Sequence, residues 1–203
     1  MRRSLPADRC RRRQSGQRGG VTQKPASRIV HINGWPGTGK LTIGRLLAKK
    51  LGARLIDNHM LLNPAEALFA RSNPLHASLR EQVRRAVFDH AVRADPAESF
   101  VFTDALADDE HDSAMFSWYP DLAAARGADL VAVLLDCAPE ENARRLVSPG
   151  RSEALKLTDP ARLQQLRAHY KLLRGLAEHT VEIDTTKLSP EETAARILAQ
   201  IGV

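Results

Sequence analysis

At 203 residues and a formal net charge of +6, the chain is long enough for one α/β domain that buries about 70% of the surface its unfolded form exposes. Only two cysteines are present, Cys10 and Cys137, which excludes a disulfide framework and fits a reducing, cytoplasmic setting. No run of 18 apolar residues and no apolar stretch behind the N-terminal arginines supports a membrane span or a secretory signal.

Residues 1–27 carry seven arginines and one lysine against one aspartate, so residues 28–203 sum to −1 and the expected folded part is electrostatically balanced. The Arg, Ser, Gln and Gly content of 1–27, without an apolar pattern, predicts a disordered basic tail, followed by a folded domain over 28–203. Most such runs are merely solvated. Any contact with nucleic acid would run through this tail, which also has the look of a remnant of an upstream start site.

Arg28-Ile29-Val30-His31-Ile32-Asn33 has the apolar pattern of a strand. Gly34-Trp35-Pro36-Gly37-Thr38-Gly39-Lys40 is spaced G-x-x-x-x-G-K, and Leu41, Ile43, Leu46, Leu47 and Leu51 then recur close to helical spacing until Gly52 stops the helix. Strand, loop and helix in this order make the spacing a phosphate cradle, a P-loop, rather than a Gly-rich turn with an incidental lysine. Glycines let backbone N–H groups approach phosphate oxygens, the helix points its positive end at the anion, and Lys40 adds a mobile charge for β and γ phosphates. One position departs from the pattern. The residue after the lysine ordinarily offers Mg²⁺ a hydroxyl, and Leu41 cannot; Thr42, turned about 100° around the helix, is aimed toward an α-phosphate.

Ala53 to Asp57 reads as a second strand that delivers Asp57-Asn58-His59 at its carboxyl end, where ligands of open α/β sheets sit. Asp57 and Asn58 fit a base, a metal ligand or an acceptor contact, or simply caps of the next turn. His59 is weaker, because a lone histidine is more often hydrogen-bonded structure. Residues 64–94 look helical with a break at Ser72-Asn73-Pro74. From Leu75 to Ala94, the apolar stripe is Leu79, Val83, Ala86, Val87 and Ala91, with Arg80 and Arg84 one turn apart on another face. That pair fits either a grip on an anionic acceptor or a solvated face on which Glu81 and Arg85 pair.

Ser99 to Asp104 is a buried-strand pattern ending in a carboxylate, the place from which a Walker-B-type residue reaches Mg²⁺. The acidic run Asp108-Asp109-Glu110-His111-Asp112 reads as the first turn of a helix toward Arg126 rather than as a metal cluster. Gly127 closes that helix, and Asp129 to Asp136 is apolar throughout, as in a central parallel strand covered on both faces, with Cys137 a buried structural thiol after it. Pro139 opens a helix bearing Arg144 and Arg145. Pro149 and Gly150 then break regularity beside Arg151 and Lys156, which predicts a lid over about 144–157 that could neutralise charge on a transferring phosphoryl group. Asp159-Pro160 starts another helix running through Leu173, Val181 to Asp184 is the last strand, and Ser189-Pro190-Glu191-Glu192 opens the last helix.

With these pieces in place, residues 28–203 resemble the small P-loop kinases: shikimate kinase, gluconate kinase, the chloramphenicol-phosphotransferase-like proteins and, more remotely, adenylate kinase. The segments that carry the resemblance are Gly34 to Lys40, Asp57-Asn58-His59, residues 144–156 and Ile183-Asp184-Thr185-Thr186. The resemblance implies a three-layer P-loop NTPase fold with a five-stranded parallel sheet in order 2-3-1-4-5. It also implies acceptor-binding helices over about 59–95 and an adenine seat between the lid base and the Asp184-Thr185-Thr186 turn. The glycine run that ends strand 3 of shikimate kinases is missing, so shikimate is not supported as a substrate. The label AAA-type ATPase, common for sequences of this look, is not supported by a chain this short. The expected activity is transfer of phosphoryl from ATP, with Mg²⁺, to a small hydroxylated or anionic metabolite, by a monomer or homodimer. In it Gly34, Pro36, Gly37, Thr38, Gly39, Lys40, Leu41, Thr42, Asp184 and Thr185 bind nucleotide. Asp104 and Asp57 support the metal, and Asp57 also orients or deprotonates the acceptor hydroxyl. Arg144 or Arg151 stabilises transferred charge, and Asn58, His59, Arg80 and Arg84 contact the acceptor. The rival reading is a nucleotide-binding switch or weak ATPase acting with a protein or RNA partner, which Leu41 favours by weakening metal binding.

Overall fold

The computed structural model describes residues 27–148, 157–175 and 177–203. Five strands, β1 (Arg28–Gly34), β2 (Arg54–Asp57), β3 (Phe100–Thr103), β4 (Asp129–Asp136) and β5 (His179–Asp184), form one parallel sheet in the order β2-β3-β1-β4-β5. The expected architecture and strand order are met. Ser27, grouped with the tail in the sequence reading, is buried, and its carbonyl accepts a hydrogen bond from the Asp129 amide.

Strand alternation builds the two cores. Val30 and Ile32 of β1 and Val101 of β3 face α1 (Lys40–Leu51) and α8 (Pro190–Gln200). Ile29, Phe100 and Phe102 face α3 (Pro74–Arg93) and α5 (Trp118–Arg126). A third cluster of Trp35, Leu134, Leu146, Leu163 and Leu172 lies where α6 (Pro139–Leu146) and α7 (Pro160–His169) back the loop after β1. Helix ends follow local chemistry: Gly52 and Gly127 close α1 and α5 in the left-handed conformation, Asp159 caps α7, and Ser189 with Glu192 forms a full capping box on α8.

The structure departs from the sequence reading in four elements. Helix α2 (Asn58–Leu68) begins at Asn58, capped by Asp57 and carrying Pro64 inside, rather than near residue 64. The helix expected from the acidic run to Arg126 divides at Ser117 into α4 (Glu110–Phe116) and α5. Helix α7 ends at His169, after which Leu172 bridges to Ala107 and Leu172 and Leu173 turn into the core. The buried face of α3 comprises His76, Arg84, Phe88 and Ala91, rotated from the expected apolar stripe. The rotation has a physical cause: Phe88 stacks on Phe102 of β3, and Arg84 is drawn inside by a buried carboxylate, so it does not sit on a solvated face.

Candidate active site

The loop after β1 is shaped by contacts that leave no room for side chains. A Cβ at Gly34 would stand 2.4 Å from the Leu135 carbonyl oxygen, and one at Gly37, where φ is +94°, would stand 2.6 Å from Asn142 Nδ2. Buried Thr38 donates through Oγ1 to the Trp35 carbonyl at 3.0 Å, tightening the turn. Lys40 Nζ donates to the carbonyls of Gly34 at 2.5 Å and Trp35 at 2.9 Å, so its charge is held over the loop. The loop rests on α6 through Asn142, fully buried, which donates to the Pro36 carbonyl at 2.7 Å.

Two cavities meet at this loop. One, of about 350 Å³, is lined by Pro36, Gly37, Gly39, Lys40, Leu41 and Thr42 on one side. Asp57, Asn58, His59, Thr103 and Ala105 from the carboxyl ends of β2 and β3 form the facing side, and Arg71, Leu157, Arg162 and Leu166 complete it. The strand-end triplet therefore stands across from the loop, as its position in the sequence predicts. Asp57 is buried and accepts from the His59 amide at 3.0 Å, and its neighbour across the β2–β3 pairing, Thr103, accepts through its hydroxyl from the Asn58 amide at 3.3 Å. Asn58 Oδ1 is buried without a hydrogen-bond partner, an acceptor facing the need for a donor.

The other cavity, of about 590 Å³, runs from Gly37, Thr38, Gly39 and Thr42 to Arg144, Arg145 and the turn Thr185-Thr186-Lys187. Arg145 donates to Glu141 at 2.6 Å, to Thr185 Oγ1 at 3.0 Å and to the Thr185 carbonyl at 2.7 Å, so it braces the turn after β5. Arg144 is exposed and clasps Glu141, whose carboxyl these hydrogen bonds from Arg144 and then Arg145 hold down at about 2. Asp184 itself does not line this cavity: its carboxylate accepts from the Thr186 amide and hydroxyl and lines a separate hollow with Asp136. Thr185 and Thr186, not Asp184, line the cavity that runs to the loop.

The largest correction concerns Asp104. It does not line the loop cavity, because alternation along β3 turns it to the face of Phe100 and Phe102 while Thr103 faces α1. Asp104 is buried, accepting from His31 Nε2 at 3.2 Å, from the Tyr119 hydroxyl in a short bond and from Arg84 at 3.5 Å. Burial alone would raise its carboxyl, but the His31 hydrogen bond and the Arg84 charge hold it below the ordinary carboxylate range. Burial and the Asp104 charge push Tyr119 well up, which keeps its phenol a donor.

Arg84 and Arg80 line a third cavity of about 360 Å³ with Leu61, Leu62, Met115 and Trp118. Burial, then repulsion from Arg84 and Arg71, pushes the Arg80 guanidinium down from its ordinary value. Glu81 lines the same cavity, and Arg84 is paired with Asp104. Arg151 and Lys156, and with them most of the expected lid, lie outside the described residues. The acidic run holds no metal cluster among the described residues: Asp109 caps α4, and Asp112 accepts from the Ala107 amide at 2.6 Å. Cys137 is buried, as expected. Sequence reasoning missed Arg71, Arg162 and Asn142. The first two look like ordinary surface arginines, and the only available signal was the concentration of arginines beyond the second and fourth strands.

The family model described as AAA domain matches residues 30–165. The shikimate kinase of Mycobacterium bovis (strain BCG / Pasteur 1173P2) is 32% identical over 180 residues, covering 84% of this chain and 91% of that protein. The cytidylate kinase of Pseudomonas fluorescens (strain SBW25) is 26% identical over 219 residues, covering 86% of this chain and 95% of that protein. A solved sugar kinase from Janibacter sp. HTCC2649 has the same fold, with a TM-score of 0.59 at 21% identity over 87% of this chain and 95% of its own.

Proposed function

This chain belongs to the AAA-domain P-loop family, among its small kinases, and we propose that it transfers the γ-phosphoryl group of ATP to a small metabolite that carries both a hydroxyl and an anionic group. The observation that carries this reading is the 350 Å³ cavity, in which Lys40 and the loop face the carboxylate of Asp57 across an open space. Loop amides and Lys40 would bind the phosphates, and the groove beside Thr185 and Thr186 would take the base. Asp57 would orient or deprotonate the acceptor hydroxyl, with Asn58 Oδ1 accepting a hydrogen bond from it and His59 nearby. Arg80 and Arg84 would bind its anionic group. Arg144 or Arg151 would act on transferred charge. The gain comes from positioning and electrostatics.

A divalent ion fits the residues only in part. Leu41 offers nothing, Asp104 is turned away, and Asp57 with the adjacent Thr103 hydroxyl is what remains to hold Mg²⁺ alongside phosphates and water. When bound, Mg²⁺ would neutralise phosphate charge. The acceptor is described by its chemistry, because β3 runs into Thr103-Asp104-Ala105-Leu106 and offers no glycine run.

The test is turnover against a pool of small hydroxylated acids, with ADP and phosphorylated product quantified together by mass spectrometry. Product equal to ADP is expected. ADP without product would replace this reading by the weak ATPase or switch that Leu41 favours. In the same assay Lys40→Ala is expected to lower ATP affinity or turnover by at least about tenfold, the scale of a hydrogen bond to a charged group. Near-parental activity would overturn the phosphate-cradle assignment.

A further inference from the structure

Arg167 belongs to no cavity lining described above, yet its guanidinium ties three separate parts of the fold together beside the loop. From α7 its Nη1 donates to Asp136 Oδ1 at 2.9 Å and to Asn142 Oδ1 at 3.1 Å, and its Nη2 donates to the Cys137 carbonyl at 3.3 Å. Its guanidinium carbon lies 5.7 Å from the centre of the Trp35 ring. Asn142 takes the Arg167 bond on its oxygen and gives its amide hydrogen to the Pro36 carbonyl. Trp35 and Pro36 are the two residues of the loop between Gly34 and Gly37. One guanidinium thus grips the end of β4, the interior of α6 and the outer face of the phosphate loop.

We propose that Arg167 is a positioning residue for nucleotide binding: acting through Asn142 and Trp35, it sets the loop in its phosphate-binding shape and locks α7 to it. The chemistry requires arginine. Three acceptors from two elements lie in reach of one planar fork whose face covers an indole, and a lysine ammonium can neither fork nor stack in this way. The arrangement also has a steric partner, because the Asn142 amide that Arg167 holds in orientation is the group that a Cβ at Gly37 would strike. Release of Arg167 frees Asn142 to rotate away from Pro36, and the loop then loses the support that keeps its amides converged. Since Leu166 and Arg162 of α7 line the cavity proposed for the phosphates, the same contact fixes part of its wall. Binding energy stored in this way is reciprocal: a ligand that orders the loop must also tighten α7.

The inference rests on the loop being the nucleotide site, and the experiment separates the two. The full chain is titrated calorimetrically with AMPPNP and Mg²⁺, as parent, Lys40→Ala, Arg167→Met, Arg167→Lys, Asn142→Ala and the Arg167→Met/Asn142→Ala double variant, with melting of each unliganded protein measured alongside. Arg167→Met is expected to weaken AMPPNP by about tenfold, as loss of charged hydrogen bonds does. Arg167→Lys should recover at most a small part of that loss, and the double variant should be no weaker than the worse single one, because both act through one relay. Backbone amide exchange in α7 should slow on AMPPNP binding in the parent and not in Arg167→Met. Affinity of Arg167→Met within twofold of the parent while Lys40→Ala loses binding would overturn the positioning role alone. So would single losses that multiply in the double variant, or full rescue by lysine. Loss of AMPPNP affinity that only tracks melting temperature across the series would reduce Arg167 to a stabilising contact. Unchanged binding in Lys40→Ala would instead overturn the nucleotide site itself.

Discussion

Asp104 illustrates how a residue's role is decided by its partners. Its carboxylate is enclosed by His31, Tyr119 and Arg84, so Asp104→Asn is expected to leave the Mg²⁺ dependence of AMPPNP binding untouched and to cost about 3–5 kcal/mol of stability, the usual consequence of breaking a buried pair. The cost carries a pH signature. The folded-state carboxyl is held below its ordinary value, so its stabilisation is complete above the unfolded value near 4 and is lost as pH falls through the folded one. Urea unfolding at pH 7 and at pH 3 should therefore show the gap between parent and variant narrowing on acidification. Leu41 makes the complementary case. It is half-buried and lines the 350 Å³ cavity proposed for the phosphates, so Leu41→Thr adds an oxygen there, and titration with and without Mg²⁺ should show stronger metal-dependent AMPPNP binding. An unchanged metal dependence would mean that the position does not reach the ion.

At the scale of elements, the helices that carry site residues are positioned by short-range chemistry at their ends and by packing along their sides. Helix α8 is the cleanest example: Ser189 accepts from the Glu192 amide at 3.1 Å while Glu192 accepts from the Ser189 amide at 2.8 Å. Ser189→Ala should lower stability by about 1 kcal/mol, which for a domain of this size is about 2–4 °C in Tm, and calorimetric melting checks it. Because the capping box stands beside the Thr185-Thr186-Lys187 turn in the groove proposed for the base, fraying of α8 should also weaken AMPPNP slightly. Helix α3 shows the opposite balance. Its ends are ordinary, with Asn73 as cap and Pro74 first, yet its rotation is set by Phe88 against Phe102 and by Arg84 against Asp104, contacts that no local pattern encodes.

For the whole molecule, the sheet order brings the loop after β1 and the ends of β2 and β3 to one edge, and the crossovers place α6 and α7 behind the loop. Among the described residues no helix is long and apolar enough to cross a membrane. The charge surplus lies in the first 27 residues, and the carbonyl of Ser27, the first described residue, accepts a hydrogen bond from the Asp129 amide. Removal of residues 1–26 is therefore expected to leave Tm and AMPPNP affinity at parental values, whereas removal of Ser27 as well should cost a buried hydrogen bond, about 1 kcal/mol. A large drop in Tm on the shorter deletion would show that the basic segment docks on the domain.

What the sequence determined by itself is whatever depends on neighbours a few positions away. The G-x-x-x-x-G-K spacing between a strand and a helix, the stops at Gly52 and Gly127, the caps at Asp159 and Ser189, and the continuous apolar run of β4 all state their local structure without reference to the rest of the chain. The location of Asp57 at the carboxyl end of a strand follows in the same way. Only the tertiary structure decided the direction in which Asp104 points, because β3 is apolar on both faces and its alternation cannot say which face meets α1. That question is answered by His31, 73 positions away. The inward turn of Arg84, the approach of Arg71 and Arg162 to the loop cavity, and the grip of Arg167 on Asn142 and Trp35 belong to the same class. Each is a contact between elements distant in sequence, and its energy exists only once the sheet has assembled and brought those elements together.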